Sequence, residues 1–108
     1  MWQLAPDGAP TLVDSITVKA MSTGDLEVGD TGRLLVVAAE PGIGGSEGGL
    51  HVYQLTNPGR PVKVGFAPVT SGLHTVSLAR IEGKLYAFGA RNPVNPALLI
   101  YDLSQFED

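Results

Sequence analysis

The sequence predicts an all-β chain built from two four-stranded antiparallel units, and three observations carry that expectation. Short apolar runs of about four to eight residues are punctuated by Gly, Pro, Asn and Asp. With 14 Gly and 8 Pro in 108 residues, this is the pattern of many strands joined by tight turns. No stretch sustains the 3.6-residue period of an amphipathic helix. The chain also repeats itself: 49–56 (GLHVYQLT) aligns with 97–104 (ALLIYDLS) at a spacing of 48 residues, placing Tyr53 on Tyr101 and Leu55 on Leu103. Residues 32–39 align with 83–90 at a spacing of 51. A fixed period of this length marks a repeat architecture in which each unit buries its faces on its neighbours.

The elements follow in chain order. Residues 1–10 match no part of the repeat, and 11–21, which include LVDSITVKA at 12–20, read as the outer strand of a preceding unit. The first complete unit spans 22–70. Its first strand shows the two-residue period of a half-buried strand, with Leu26 and Val28 alternating with Asp25 and Glu27. Asp30-Thr31-Gly32 closes a turn, and 33–39 is nearly continuous in apolar residues, as in a strand covered on both faces. Residues 50–55 form the third strand and Asn57-Pro58-Gly59-Arg60-Pro61 a loop. The fourth strand, 62–68, carries Lys63 and Pro68, which protect an outer edge from stray pairing. The second unit, 71–108, repeats this order in His74, Val76 and Leu78, then 84–90, then 98–103, and lacks its own outer strand. Gly24 falls on Gly72 at a spacing of 48, which makes Leu26 the counterpart of His74 and puts a turn three residues longer into the second unit.

Four antiparallel strands per repeat of about 40 to 50 residues is the arithmetic of a β-propeller blade. The expected fold is therefore a partial β-propeller of two blades. The stretch 48–65, GGLHVYQLTNPGRPVKVG, and its partial echo ALLIYDLS resemble the bacterial LVIVD-repeat propellers, whose blades carry a GL-x-(I/V)-(V/Y)-D-(I/V)-S-(D/N)-P-x-x-P-x-x-(V/L)-G string. Gln54 stands where that string has Asp. The resemblance implies a secreted or surface-attached setting and a ring of about six to eight blades, closed by further blades of a longer chain or by a homo-oligomer.

Charge and composition exclude several classes of function. A net charge of −4 with seven scattered Lys and Arg argues against a nucleic-acid partner. The longest apolar run, 34–39, is far shorter than the roughly 20 residues of a spanning helix, so membrane insertion is not expected. With no Cys there is neither a disulfide framework nor a thiolate metal site. No cofactor motif is present.

The candidate residues are few. His74 opens what would be the innermost strand of the second unit and is the candidate channel or ligand residue; a single imidazole at that level leaves any metal unassigned. His51, mid-strand, is expected at the surface. Asp25, Glu27 and Asp30 place three carboxylates in six residues, read as a solvated strand face in preference to a calcium site. Asp102 is expected to cap the turn after its strand. Gly44-Gly45-Ser46-Glu47-Gly48 satisfies G-x-S-x-G, yet it joins two strands, whereas a nucleophile elbow needs a helix after it. Arg91, Asn92 and Asn95 are candidate loop contacts for a protein or surface ligand, on the loop that answers the glycine-rich 40–48 of the first unit. The expected function is a non-catalytic binding or scaffold module, the alternative a piece of a propeller enzyme with a metal-assisted site in the central channel.

Overall fold

The computed structural model describes residues 1–42, 46–91 and 96–107. Among them every regular element except one is an antiparallel strand. Two short strands, β1 (Trp2–Leu4) and β2 (Pro10–Leu12), pair as an isolated hairpin whose residues are all exposed. Four strands, β3 (Ser22–Val28), β4 (Leu34–Glu40), β5 (Gly49–Gln54) and β6 (Val62–Pro68), form a meander in the order β3-β4-β5-β6. Three more, β7 (Thr75–Ile81), β8 (Lys84–Ala90) and β9 (Leu98–Asp102), form a second meander, followed by a single 3-10 turn at Ser104–Phe106. The chain is thus all-β with open sheets of two, four and three strands, and only the first of the two expected units has four.

The sheets stack because alternation gives each strand an apolar side to cover. Leu34, Val36, Ala38, Leu50 and Val52 leave sheet β3–β6 on one face and meet Val76, Leu85 and Ala87 of sheet β7–β9 in a single core. Leu73 of the connector and Leu103 after β9 complete it, each almost wholly buried. Phe106, on the 3-10 turn, lies over Gly65 so closely that a Cβ there would stand 2.7 Å from its ring. That contact ties the end of the second sheet to β6 of the first, and a larger residue at this position would have to displace the Phe106 ring.

The turns differ in construction. Glu82-Gly83 joins β7 to β8 with both residues at positive φ, 50° and 80°, the mirror-image two-residue turn that matches strand twist. The equivalent connection in the first sheet, 29–33, is longer. The extra residues lie in the first unit, opposite to the sequence alignment.

The register shows why that alignment slips. Leu34 and Leu85, superposed at a spacing of 51, both point into the shared core, so they lie on opposite faces of their respective sheets when the sheets are taken as successive layers. The layer counterpart of Leu34 is Tyr86, one residue further on. A strand apolar on both sides tolerates a one-residue shift in sequence comparison, although in space the shift exchanges its faces. By the same register Leu26, paired with Val37, corresponds to Val76, paired with Gly89, and not to His74.

The outer strand expected over 12–20 is reduced to a contribution to β2. Residues 13–18 take no strand conformation and lie along the outer face of sheet β3–β6.

Candidate functional site

Three places in the fold gather chemistry-bearing side chains. The first is the seam between the sheets. On β3, Asp25 and Glu27 point toward β7, whose outer edge pairs with no strand among the described residues. Asp25 Oδ2 accepts the Val76 N–H at 2.9 Å and Glu27 Oε2 the Leu78 N–H at 3.2 Å. Asp30 continues the series with a two-pronged contact to Arg80, at 2.7 and 2.8 Å, and Arg80 also reaches Glu107 at 2.7 Å. The Arg80 guanidinium holds the Asp30 carboxyl below the ordinary carboxylate range. Asp25 and Glu27, read as part of a solvated face, are therefore structural: they accept edge N–H groups that burial would otherwise leave unsatisfied, while Asp30 stays exposed and pairs with the Arg80 side chain. The sequence signal was their alternation with apolar residues, but nothing in it named the partner strand.

The second place is the polar end where β4, β7 and β8 meet. His74 lies just before β7 with its side chain 61% exposed, its Nδ1 3.0 Å from Glu40 Oε1, and its backbone N–H donated to the Ala90 carbonyl. Arg91 leaves β8 at the same end and donates from Nε to Ser71 Oγ at 2.9 Å. The structure thus brings His74, Glu40, Ser71 and Arg91 to one rim. Asn92 and Asn95 lie outside the described residues. Among the described residues no three His, Cys, Asp or Glu side chains group as metal ligands. Ser46 precedes β5, a strand, and its backbone N–H is donated to the Lys19 carbonyl.

The third place, which sequence reasoning missed, is the outer face of sheet β3–β6. Pairing puts Leu26, Val28, Leu35, Val37, His51 and Tyr53 on this side. Residues 13–19 lie over part of it, clipped by the Lys19 N–H to Glu47 Oε2 at 2.7 Å and by the Ser46 and Glu47 N–H groups to the Lys19 carbonyl. Between that segment and the sheet runs an apolar cleft of about 220 Å³ lined by Met1, Ile16, Val18, Leu26, Val37 and Tyr53, among others. Burial pushes the Tyr53 phenol up.

His51, expected at the surface, is fully buried on this face. Its Nε2 lies 2.6 Å from the Glu47 carbonyl, and its ring stacks on Phe66 at 4.5 Å between centroids. Lys63 Nζ lies 4.9 Å above the other aromatic ring. Among the described residues Nδ1 has no partner, so the neutral tautomer that donates from Nε2 is the one the site accommodates. Burial holds the imidazole below its ordinary pKa. Asp102 caps its turn as expected, accepting from the Ser104 N–H at 2.9 Å and Oγ at 2.6 Å.

No helix among the described residues is long and apolar enough to cross a membrane. No family model, curated protein or solved structure matches the chain.

Proposed function

We propose that the chain is a non-catalytic binding or scaffold module of β-propeller type, similar in its repeat to the LVIVD propellers. The observation that carries this reading is the layered packing of two successive meanders. Each puts one face into the shared core and leaves its other face apolar: Leu26 and Val28 are 57% and 50% exposed on one side of the stack, Leu98 and Ile100 62% and 59% on the other. Contiguous apolar surface of this kind marks a place for a macromolecular neighbour, and repeat modules gain stability from each neighbour added. The polar rim of His74 and Arg91 is where such a module would present contacts to a protein or surface ligand. The enzyme alternative has less support: His74 is engaged with Glu40, and among the described residues no three His, Cys, Asp or Glu side chains group as metal ligands.

A tandem fusion of two copies through a flexible linker tests the reading. A stacking module gives a fusion that melts cooperatively and above the single chain, because one more interface has formed. Equal melting temperatures for fusion and single chain overturn it. A zinc or calcium titration that shifts the NMR signals of His74 and Glu40 with one-to-one saturation would restore the enzyme reading.

A further inference from the structure

We infer that the open face of sheet β7–β9 docks on the outer face of sheet β3–β6 of a second copy of this chain, and that residues 11–18 of that second copy pair with the free edge of β9. The inference rests on the proposed module reading and names its partner.

The internal interface is the template. Within one chain, the face of β3–β6 carrying Leu34, Val36, Leu50 and Val52 packs on the face of β7–β9 carrying Val76, Leu78, Ala87 and Tyr101. Taken as successive layers, the counterparts of the first set are Tyr86, Phe88, Leu98 and Ile100, the open face of β7–β9. Pairing of Phe88 with Ile100 and of Ala90 with Leu98 confirms that they share a side. The counterparts of the second set are Leu26, Val28, Leu35 or Val37, and Tyr53, the outer face of β3–β6. Each of these two faces is thus the repeat equivalent of a face already buried against the other. The face of β3–β6 is partly covered in the single chain by 13–18, with Val37 and Tyr53 9% and 4% exposed, so docking requires that segment to lift off, as its pairing with β9 would make it do. Two copies joined head to tail would remake the interface the chain holds internally, a heterologous contact that propagates into a ring if its rotation closes.

The edges agree with the faces. In sheet β3–β6 the β5 edge is covered by β6, which leads through Leu73 into β7. In sheet β7–β9, β9 is an edge. Residues 11–18 stand immediately before β3 as β6 stands before β7, and their sequences correspond: Pro10 to Pro61, Val13 to Val64, Val18 to Val69. In the single chain only 11–12 pair, as the end of β2 with β1, while 13–18 lie without strand conformation over the outer face of sheet β3–β6, and Leu12, Val13 and Ile16 are 55%, 42% and 45% exposed. A head-to-tail neighbour brings its β9 beside it, and strand addition satisfies both edges. The pairing of Leu50 with Ala67 fixes the register: it carries over to Leu98 of one copy opposite Ile16 of the other. At the seam, β7 presents the Thr75 and Ser77 hydroxyls at the positions from which Asp25 and Glu27 bond the next sheet, offering acceptors to the edge N–H groups of Leu26 and Val28.

The chain contains no Cys, so single-cysteine variants test the register directly. Isotopically distinct Ile16→Cys and Leu98→Cys chains are mixed, oxidised and read by mass spectrometry, with Leu4→Cys and Leu98→Cys as the control pair. Residues held together by docking react at an effective concentration well above the bulk, so the mixed disulfide of the first pair should exceed that of the control about tenfold. Light scattering on a sizing column should show a discrete assembly for the unaltered chain and a monomer for Ile100→Lys, an exposed position whose substitution leaves the core untouched. Equal cross-linking in the two pairs, a monomer for the unaltered chain at every concentration, or assembly that survives Ile100→Lys overturns the inference. If the tandem fusion is stabilised while separate copies stay monomeric, the module reading stands and only the second copy as partner is refuted.

Discussion

Replacing Asp25 by alanine removes the acceptor that holds the edge of β7, and the loss can be sized from the geometry. The Val76 N–H is 2.9 Å from Asp25 Oδ2, and Val76 is 2% exposed, so no water replaces the lost carboxylate without opening the seam. A hydrogen bond to a charged acceptor contributes about 1.5–3 kcal/mol, and a buried donor left unsatisfied costs about 1–3 kcal/mol. Asp25 is itself half-buried, and partial screening places the loss near the lower end, at about 1.5 kcal/mol. The Glu27 contact is longer, at 3.2 Å, and its loss should be nearer 1 kcal/mol. For a domain of this size the Asp25→Ala melting temperature should fall by roughly 6–10 °C. Calorimetry reads that fall, and amide hydrogen exchange identifies its origin: protection at Val76 should drop in Asp25→Ala and be largely kept in Asp25→Asn, which retains a carbonyl acceptor. Unchanged Val76 exchange together with a melting temperature within about 1 °C of the parent would refute the seam.

Other expectations follow from single positions. Leu34→Ala empties a fully buried site between the sheets and should destabilise by about 2–5 kcal/mol in urea unfolding. Glu82 holds a positive φ of 50° before Gly83, so Glu82→Asn, which tolerates that backbone and restores the preferred turn pair, should stabilise by about 0.5–1 kcal/mol by the same assay. His51 is buried neutral with its pKa lowered, so the unfolded chain binds its proton first as pH falls. Its contribution is complete above the unfolded value of about 6.5 and is lost as pH drops from there toward the folded value, at no more than about 1.4 kcal/mol per pH unit. His51→Gln should flatten that part of the stability–pH curve, measured by urea unfolding between neutral and mildly acidic pH.

Much of the fold is legible in the sequence because turns and alternation are local signals. β3, β4, β5, β6 and β8 lie close to where the apolar runs and their Gly, Pro and Asp boundaries put them. The layer register was not legible: β4 and β8 are apolar on both sides, and a one-residue slip improves their match while exchanging their faces. Of the strand expected over 12–20 only residue 12 is in strand, paired with Trp2, and 13–18 lie along the outer face of sheet β3–β6 without strand conformation, because local alternation does not name the edge a strand will pair with. His51 misled for a related reason. Between Leu50 and Val52 its alternation assigns it to the face opposite the core, and only the fold shows that Phe66 and the 46–47 backbone cover that face. At the polar rim the sequence found His74 and Arg91 individually, while their convergence with Glu40 and Ser71 depends on two sheets meeting, which no local signal encodes.

The two meanders are stacked layers with defined inner and outer faces, and a methyl NOE spectrum of Ile/Leu/Val-labelled chain reads that stacking contact by contact. Stacked layers give cross-peaks linking Leu34 and Val36 to Leu85 and Val76, and none linking Leu34 to Leu98 or Ile100 within a monomer. Cross-peaks from Leu34 to Ile100 in a monomer, or none between the two sheets, would contradict it.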